Sequence, residues 1–152
     1  MDNELTRPVL IGWKERIDLP DFDLRRIPAK IDTGARTSAL SAAYYVLRED
    51  ADGRRVADLT LEFRLPKRKS VQVVAPVLGQ STVKCTGGLR ETRPIIETWV
   101  RLGPIFKLIR FTVTDRSHML TPLILGRQAL AGDFIVDVRR KYLLRRVRAT
   151  GE

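Results

Sequence analysis

The sequence predicts an all-β fold, and three features carry that prediction. Apolar and polar residues alternate with a period of two through much of the chain, turn residues interrupt the alternation at short intervals, and only 127–131 (RQALA) reads as helix. A parallel α/β sheet would need long amphipathic helices between its strands, and the sequence offers none. With 152 residues, 43% of them apolar and 30% charged, the chain has the size and composition of one folded domain with one core. We expect a single domain over 1–152 with a basic segment at 138–152.

The elements follow from the punctuation. Val9 to Ile17 is the first strand candidate, and Leu19-Pro20-Asp21 closes a hairpin onto a second, Arg25 to Ile31. Ala43 to Leu47 and Ala57 to Leu65 are joined by a turn at Asp52-Gly53. In the latter run Leu59, Leu61, Phe63 and Leu65 fall on one side, Asp58, Thr60, Glu62 and Arg64 on the other, and Pro66 stops the ladder. Val71 to Val77 follows. Gly87-Gly88, within Lys84 to Arg90 (KCTGGLR), marks an exposed loop tip, since glycine accepts positive φ without steric cost. Gly103-Pro104 divides the next run into Ile95 to Leu102 and Ile105 to Thr114, with 48–55 and 66–69 as polar surface loops. Leu123-Ile124-Leu125 is a wholly apolar strand running straight into Gly126-Arg127 and the short helix. Trp13 and Trp99 lie in strand-like runs, where core packing is the expected role.

Composition narrows the function classes. Twenty-eight basic residues against 18 acidic give a net charge of +10, which draws polyanions: nucleic acid, an acidic peptide or an anionic membrane surface. Six of the basic residues crowd around Tyr142-Leu143-Leu144 in 138–148. No apolar run approaches the roughly 20 residues of a membrane span. Two acids precede the first Arg in MDNELTR, and Val9 to Trp13 is too short for a signal-peptide core, so a cytoplasmic protein is expected. A single cysteine, Cys85, precludes an intrachain disulfide. With the single histidine, His118, it leaves too few soft donors for a zinc site, so neither metal nor cofactor is expected. There is no His-Glu-x-x-His helix and no Gly-x-x-x-x-Gly-Lys phosphate loop. Cys85 has no oriented base for nucleophilic catalysis, and His118 reads as a surface residue.

The segment that carries chemistry is 27–43 (IPAKIDTGARTSALSAA). Asp32 follows directly on the strand residues Ala29-Lys30-Ile31 and precedes Thr33-Gly34-Ala35. A carboxylate at a strand end, before a glycine that permits a tight turn, is aimed into a cleft while backbone N–H groups hold it. An ordinary Asx turn uses the same residues. The second segment, 122–130 (PLILGRQAL), supplies the apolar strand and Gly-Arg-helix junction.

Together these two segments resemble the retropepsin-like aspartic peptidases, in which an apolar strand runs into Asp-Thr-Gly-Ala and a later one runs into Gly-Arg and a short helix. The chain is similar above all to a bacterial branch of that group, named after ATP-dependent zinc proteases and regarded as retropepsin-like endopeptidases. The carriers are Ile11-Gly12-Trp13 with Glu15, 29–40 (AKIDTGARTSAL), Arg93-Pro94-Ile95-Ile96, 112–119 (TVTDRSHM), 125–130 (LGRQAL) and Val136-Asp137.

The resemblance implies a single-lobe closed barrel and an aspartic endopeptidase with Asp32, Thr33 and Gly34 at its catalytic centre. Ala35, Gly126 and Arg127 would support that centre, and a flap tipped by Lys84, Gly87, Gly88 and Arg90, with Arg93, would bind substrate. The chemistry needs two carboxylates and the chain has one Asp-Thr-Gly, so the second Asp32 would come from a homodimer. Where viral members carry an acid or amide after Asp-Thr-Gly-Ala, this chain has Arg36, as the bacterial branch has a basic residue; the viral brace between that acid and the Gly-Arg arginine is therefore not available. The branch is associated with ATP-grasp ligases that append glutamates to proteins, which implies acidic peptides as substrates and any ATP step in a partner. The contrasting expectations are a non-catalytic β-barrel binding nucleic acid or acidic peptides, and a zinc protease. Against nucleic acid stands the low aromatic content, 7%, with most aromatics on apolar faces.

Overall fold

Gly12 divides what the alternation reads as one strand. In the computed structural model, which describes residues 7–64, 68–84, 87–116 and 121–144, Val9–Gly12 (β1) and Lys14–Leu19 (β2) belong to different sheets. The Trp13 N–H donates to the Arg140 carbonyl at 2.8 Å, and a Cβ on Gly12 would lie 2.7 Å from the Lys141 Cα. Only glycine lets the C-terminal segment approach that closely. β1 then pairs in parallel with Phe134–Asp137 (β11), while β2 turns through a 3₁₀ turn at Pro20–Phe22 into Leu24–Ile31 (β3).

The remaining strands are Ser38–Ser41 (β4), Tyr44–Glu49 (β5), Arg55–Phe63 (β6), Lys69–Lys84 (β7), Arg90–Leu102 (β8), Ile105–Thr114 (β9) and Leu123–Leu125 (β10). A helix of one turn, Arg127–Leu130 (α1), follows β10. Neighbours in the main sheet run β2-β3-β10-β4-β9-β8, and Asp18 opposite Arg101 joins β2 back to β8. The result is a six-stranded closed barrel with one short helix. Closure removes the free edges that an open sheet would present. β8 shares one edge between two partners: residues 90–96 pair with β7, and Arg101 meets β2. β7, β6 and β5 therefore continue from the barrel as an antiparallel extension.

The barrel closes over Ile17, Leu19, Leu40, Ile96, Phe111 and Leu123, all fully buried. On β6 the predicted side is the buried one, with Leu59, Leu61 and Phe63 inside; Leu65 and Pro66 lie outside the described residues. Beyond Ala75, β7 loses its buried face and runs with β8 as a hairpin to a last pair at Lys84 and Arg90. Gly87 (φ 93°) and Gly88 (φ 82°) form the tip, in the left-handed region that glycine makes available.

Two expectations are corrected. Trp13 and Trp99 are not core residues but 38% and 39% exposed. The cause for Trp99 is strand parity: Thr98, Val100 and Leu102 point inward, so Trp99 and Arg101 point out. The exposed Trp99 ring stacks on Phe106 at 4.8 Å, and the Arg101 guanidinium sits 4.9 Å from the Phe106 ring centre. Strand β4, not singled out from sequence, is the other change. No helix among the described residues is long and apolar enough to cross a membrane.

Candidate active site

Strand β10 sits between β3, to which it is parallel (Leu125 opposite Ile31), and β4, to which it is antiparallel (Leu123 opposite Leu40). β3 and β4 are consecutive in sequence, so residues 32–37 must cross the end of β10. The strand under this crossing is buried along its whole length, and its three residues are accordingly Leu, Ile and Leu.

The crossing loop is held by a dense set of bonds. Asp32 N donates to the Leu125 carbonyl (2.9 Å), Arg127 N to Ala35 O (2.8 Å), Gln128 N to Arg36 O (3.0 Å), and Gly126 N to the buried Ser38 Oγ (3.0 Å). Gly34 N donates to Asp32 Oδ1 at 3.0 Å and Ala35 N to Asp32 O at 3.2 Å. The Asx turn expected of Asp-Thr-Gly is thus present, and it is what orients the carboxylate at the mouth of the loop. Asp32 is half-buried, while Thr33 and Gly34 are exposed. A Cβ on Gly34 would lie 3.2 Å from Asp32 Oδ1, pressing on the carboxylate.

Among the described residues, Arg127 meets no acid. Its guanidinium donates to the Thr33 carbonyl at 3.0 Å, and Arg36 is exposed. A side chain from the start of α1 thus clamps the loop's backbone where the viral pattern would place an ion pair. Gly126 admits the loop: a Cβ there would stand 2.5 Å from Thr37 O and 2.9 Å from Ala35 O, both backbone atoms. Gly126→Ala is expected to destabilise by about 2 kcal/mol through this overpacking. A melting temperature lower by roughly 4–8 °C would register it.

The structure brings Asp32, Thr33, Gly34, Ala35, Gly126 and Arg127 into one constellation. Lys84, Gly87, Gly88 and Arg90 are instead exposed at the hairpin tip. Arg93 lies further down the hairpin, opposite Ser81, and donates to Glu91 at 3.2 Å. Arg116, which sequence reasoning missed, stands just beyond β9, its backbone N–H held by Ser41 Oγ at 2.9 Å. Burial pushes its guanidinium below the ordinary arginine range, Arg93 pushes the same way, and the Asp32 carboxylate opposes them. The base of the hairpin, Arg116 and Asp32 therefore share one electrostatic neighbourhood. The only sequence signal for Arg116 was its place inside 112–119.

Among the described residues no three His, Cys, Asp or Glu side chains gather. Cys85 and His118 lie outside the described residues.

A family model described as the retropepsin-like aspartic endopeptidase RimB matches residues 10–147. Two curated relatives carry the name "Probable alpha-L-glutamate ligase". The one from Parasynechococcus marenigrum is 32% identical over 88% of this chain, and the one from Desulfotalea psychrophila 29% identical over 84%. The chain spans 28% of the length of each of these relatives. Among solved structures, a Legionella pneumophila protein of unknown function superposes with a TM-score of 0.78 at 24% identity, covering 91% of this chain and all of that one. That likeness is one of fold.

Proposed function

The chain belongs to the RimB-like family of retropepsin-like aspartic endopeptidases, and we propose that it hydrolyses peptide bonds as a homodimer whose two Asp32 carboxylates face each other. One observation carries the reading. Asp32 projects from a loop whose backbone is held at each residue from 32 to 36 over a buried strand, the kind of preorganisation that acid–base catalysis requires.

One protomer supplies half of the necessary chemistry. Two carboxylates within about 3 Å share a proton, since both cannot ionise at that distance. The ionised Asp32 takes a proton from water as the water oxygen adds to the scissile carbonyl carbon. The protonated Asp32 of the second protomer gives its proton to the carbonyl oxygen. Collapse of the tetrahedral adduct breaks the C–N bond and returns a proton to the leaving amine. A two-fold axis at the Asp32 loops produces this pair from one sequence. Thr33 and Gly34 shape the loop; Lys84, Gly87, Gly88, Arg90 and Arg93 form the flap that closes on substrate. Ala35, Gly126 and Arg127 hold the loop from beneath.

Acidic peptides are the substrate class we favour. The net charge is +10, and the relatives named for glutamate ligation contain a segment similar to this chain within a protein more than three times as long. A ligase of that kind, with its own ATP-grasp site, is the partner we propose for this chain. Nucleic acid is the weaker reading: the exposed Trp99 and Phe106 rings already spend a face on each other, and Arg101 is seated over Phe106. Mass spectrometry of glutamate-rich peptides incubated with the purified chain tests the proposal. New internal termini are expected, and intact peptides after prolonged incubation would overturn it.

A further inference from the structure

Strand β5 leaves an edge open. The extension that departs from the barrel through β7 and β6 ends at β5, and among the described residues no strand pairs with its outer side. β5 pairs with β6 at every residue from Tyr44 to Glu49 without a shift of register, whereas the β2–β3 and β7–β8 pairings each carry one. Proteins blunt an exposed edge with lysine, proline or a bulge, because its unpaired N–H and C=O groups are a template for another strand. Tyr44-Tyr45-Val46-Leu47-Arg48-Glu49 has none of the three.

Apolar side chains flank this edge. Tyr44 is 66% exposed, Val46 42% and, two strands in, Val74 53%; with Asp58, Thr60 and Gln72 they line a trough of about 380 Å³ on the outer face. Tyr45 and Leu47 turn to the other face, where Leu47 packs against the core. The net charge of +10 works against association of the chain with itself, so a self-contact needs a strip without positive excess. β5 is such a strip: Arg48 and Glu49 cancel, and Arg48 is already paired with Asp58 at 2.6 Å. Its sequence is also complementary to itself. A two-fold axis normal to a sheet keeps every side chain on its own face, so residues that meet across it are an even number of positions apart. With the axis at Val46, Val46 meets its own copy, Tyr45 meets Leu47, and the Tyr44 ring meets the Arg48 cation. With the axis at Leu47, Val46 would instead meet Arg48 and Tyr45 would meet Glu49.

We propose that β5 pairs antiparallel with β5 of a second copy about an axis at Val46, joining the two extensions into one six-stranded sheet. The contact uses no residue of the Asp32 loop and does not rest on the peptidase reading. If the Asp32 loops also meet about an axis of their own, the two distinct isologous contacts build a closed tetramer or an open string of molecules.

Light scattering of the full chain over a concentration series tests the contact. Val46→Lys sets a charge against its own copy at the axis, and at an exposed position it leaves the fold intact, as thermal melting verifies. Its limiting mass is expected to be that of a monomer, or of a dimer where the Asp32 contact also forms, against at least twice that for the wild type. Cysteine cross-linking reads the register itself, in a Cys85→Ser background that removes the one native cysteine. Val46→Cys is expected to give a disulfide-linked dimer on mild oxidation, because opposed Cα atoms in an antiparallel pair lie about 4.5–5.5 Å apart, within disulfide reach. Positions 44 and 48 each stand about 14 Å from their own copies, so Tyr44→Cys and Arg48→Cys should cross-link only when the two variants are mixed. A wild type whose mass equals that of Val46→Lys at every concentration, or a Val46→Cys variant that cross-links no faster than Tyr44→Cys, overturns the proposal and leaves the edge to a strand of another protein.

Discussion

Asp32→Asn is expected to lower peptide hydrolysis by about 10²–10⁴-fold or more while leaving the fold unchanged. Asparagine has the same shape, and its side-chain carbonyl can keep the bond from Gly34 N that shapes the loop. What disappears is the proton acceptor, and with it the shared proton of the pair. A chelator is expected to leave the wild type fully active. The reverse pattern, an active Asp32→Asn variant and a chelator-sensitive wild type, would restore zinc chemistry. The two-fold arrangement has its own signature. If each active unit needs two intact Asp32 residues, equal amounts of wild type and variant, allowed to exchange protomers, retain about one quarter of the activity expected for an all-wild-type dimer population. Retention of one half would place a complete site within one protomer.

The parts of this site that were legible in the sequence are those whose geometry is encoded locally. Asp32-Thr33-Gly34 makes its own turn through a bond spanning two residues, and Gly87-Gly88 makes a hairpin tip wherever it occurs between strands. Leu123-Ile124-Leu125 announces a strand buried on both faces because no polar residue interrupts it. The parts that were hidden depend on contacts between distant residues. Ser38 and Ser41 make β4 look like a polar loop, yet both are buried. Each hydroxyl accepts a bond from a backbone N–H far along the chain, Gly126 and Arg116 respectively. Arg116 is an ordinary loop arginine until the parallel pairing of β4 with β9 carries its backbone to Ser41, where the Asp32 carboxylate bears on its charge. Trp99 was misread because apolar residues occupy both faces of β8 and β9, so periodicity alone could not say which face is the core.

The largest structural effect is expected at Glu15, the one charged side chain among the fully buried described residues. Its carboxylate replaces water with backbone donors: Gly12 N at 2.7 Å, Leu143 N at 2.9 Å and Leu144 N at 3.2 Å. Glu15 thereby ties the C-terminal segment to the break between β1 and β2, and Leu144 packs against Gly103 beside it. The same segment reaches the Asp32 loop through backbone alone. The Arg140 carbonyl accepts from Trp13 N, and the Trp13 carbonyl accepts from Ile31 N, the residue before Asp32, both at 2.8 Å. Glu15→Ala leaves three backbone donors short of an acceptor, at about 1–3 kcal/mol for each that water does not reach. Because the segment can loosen and let water in, the expected total is about 3–5 kcal/mol, a fall in melting temperature of roughly 6–20 °C. Glu15→Gln discriminates between charge and shape. Its amide is isosteric and its carbonyl oxygen can keep the bonds from Gly12 N and Leu143 N, but its NH2 then faces Leu144 N, so a loss well short of that of Ala yet clearly measurable is expected if the carboxylate's acceptor capacity is what matters. A Glu15→Gln protein that melts within 1–2 °C of the wild type would show that packing, and not the three bonds, holds the segment down.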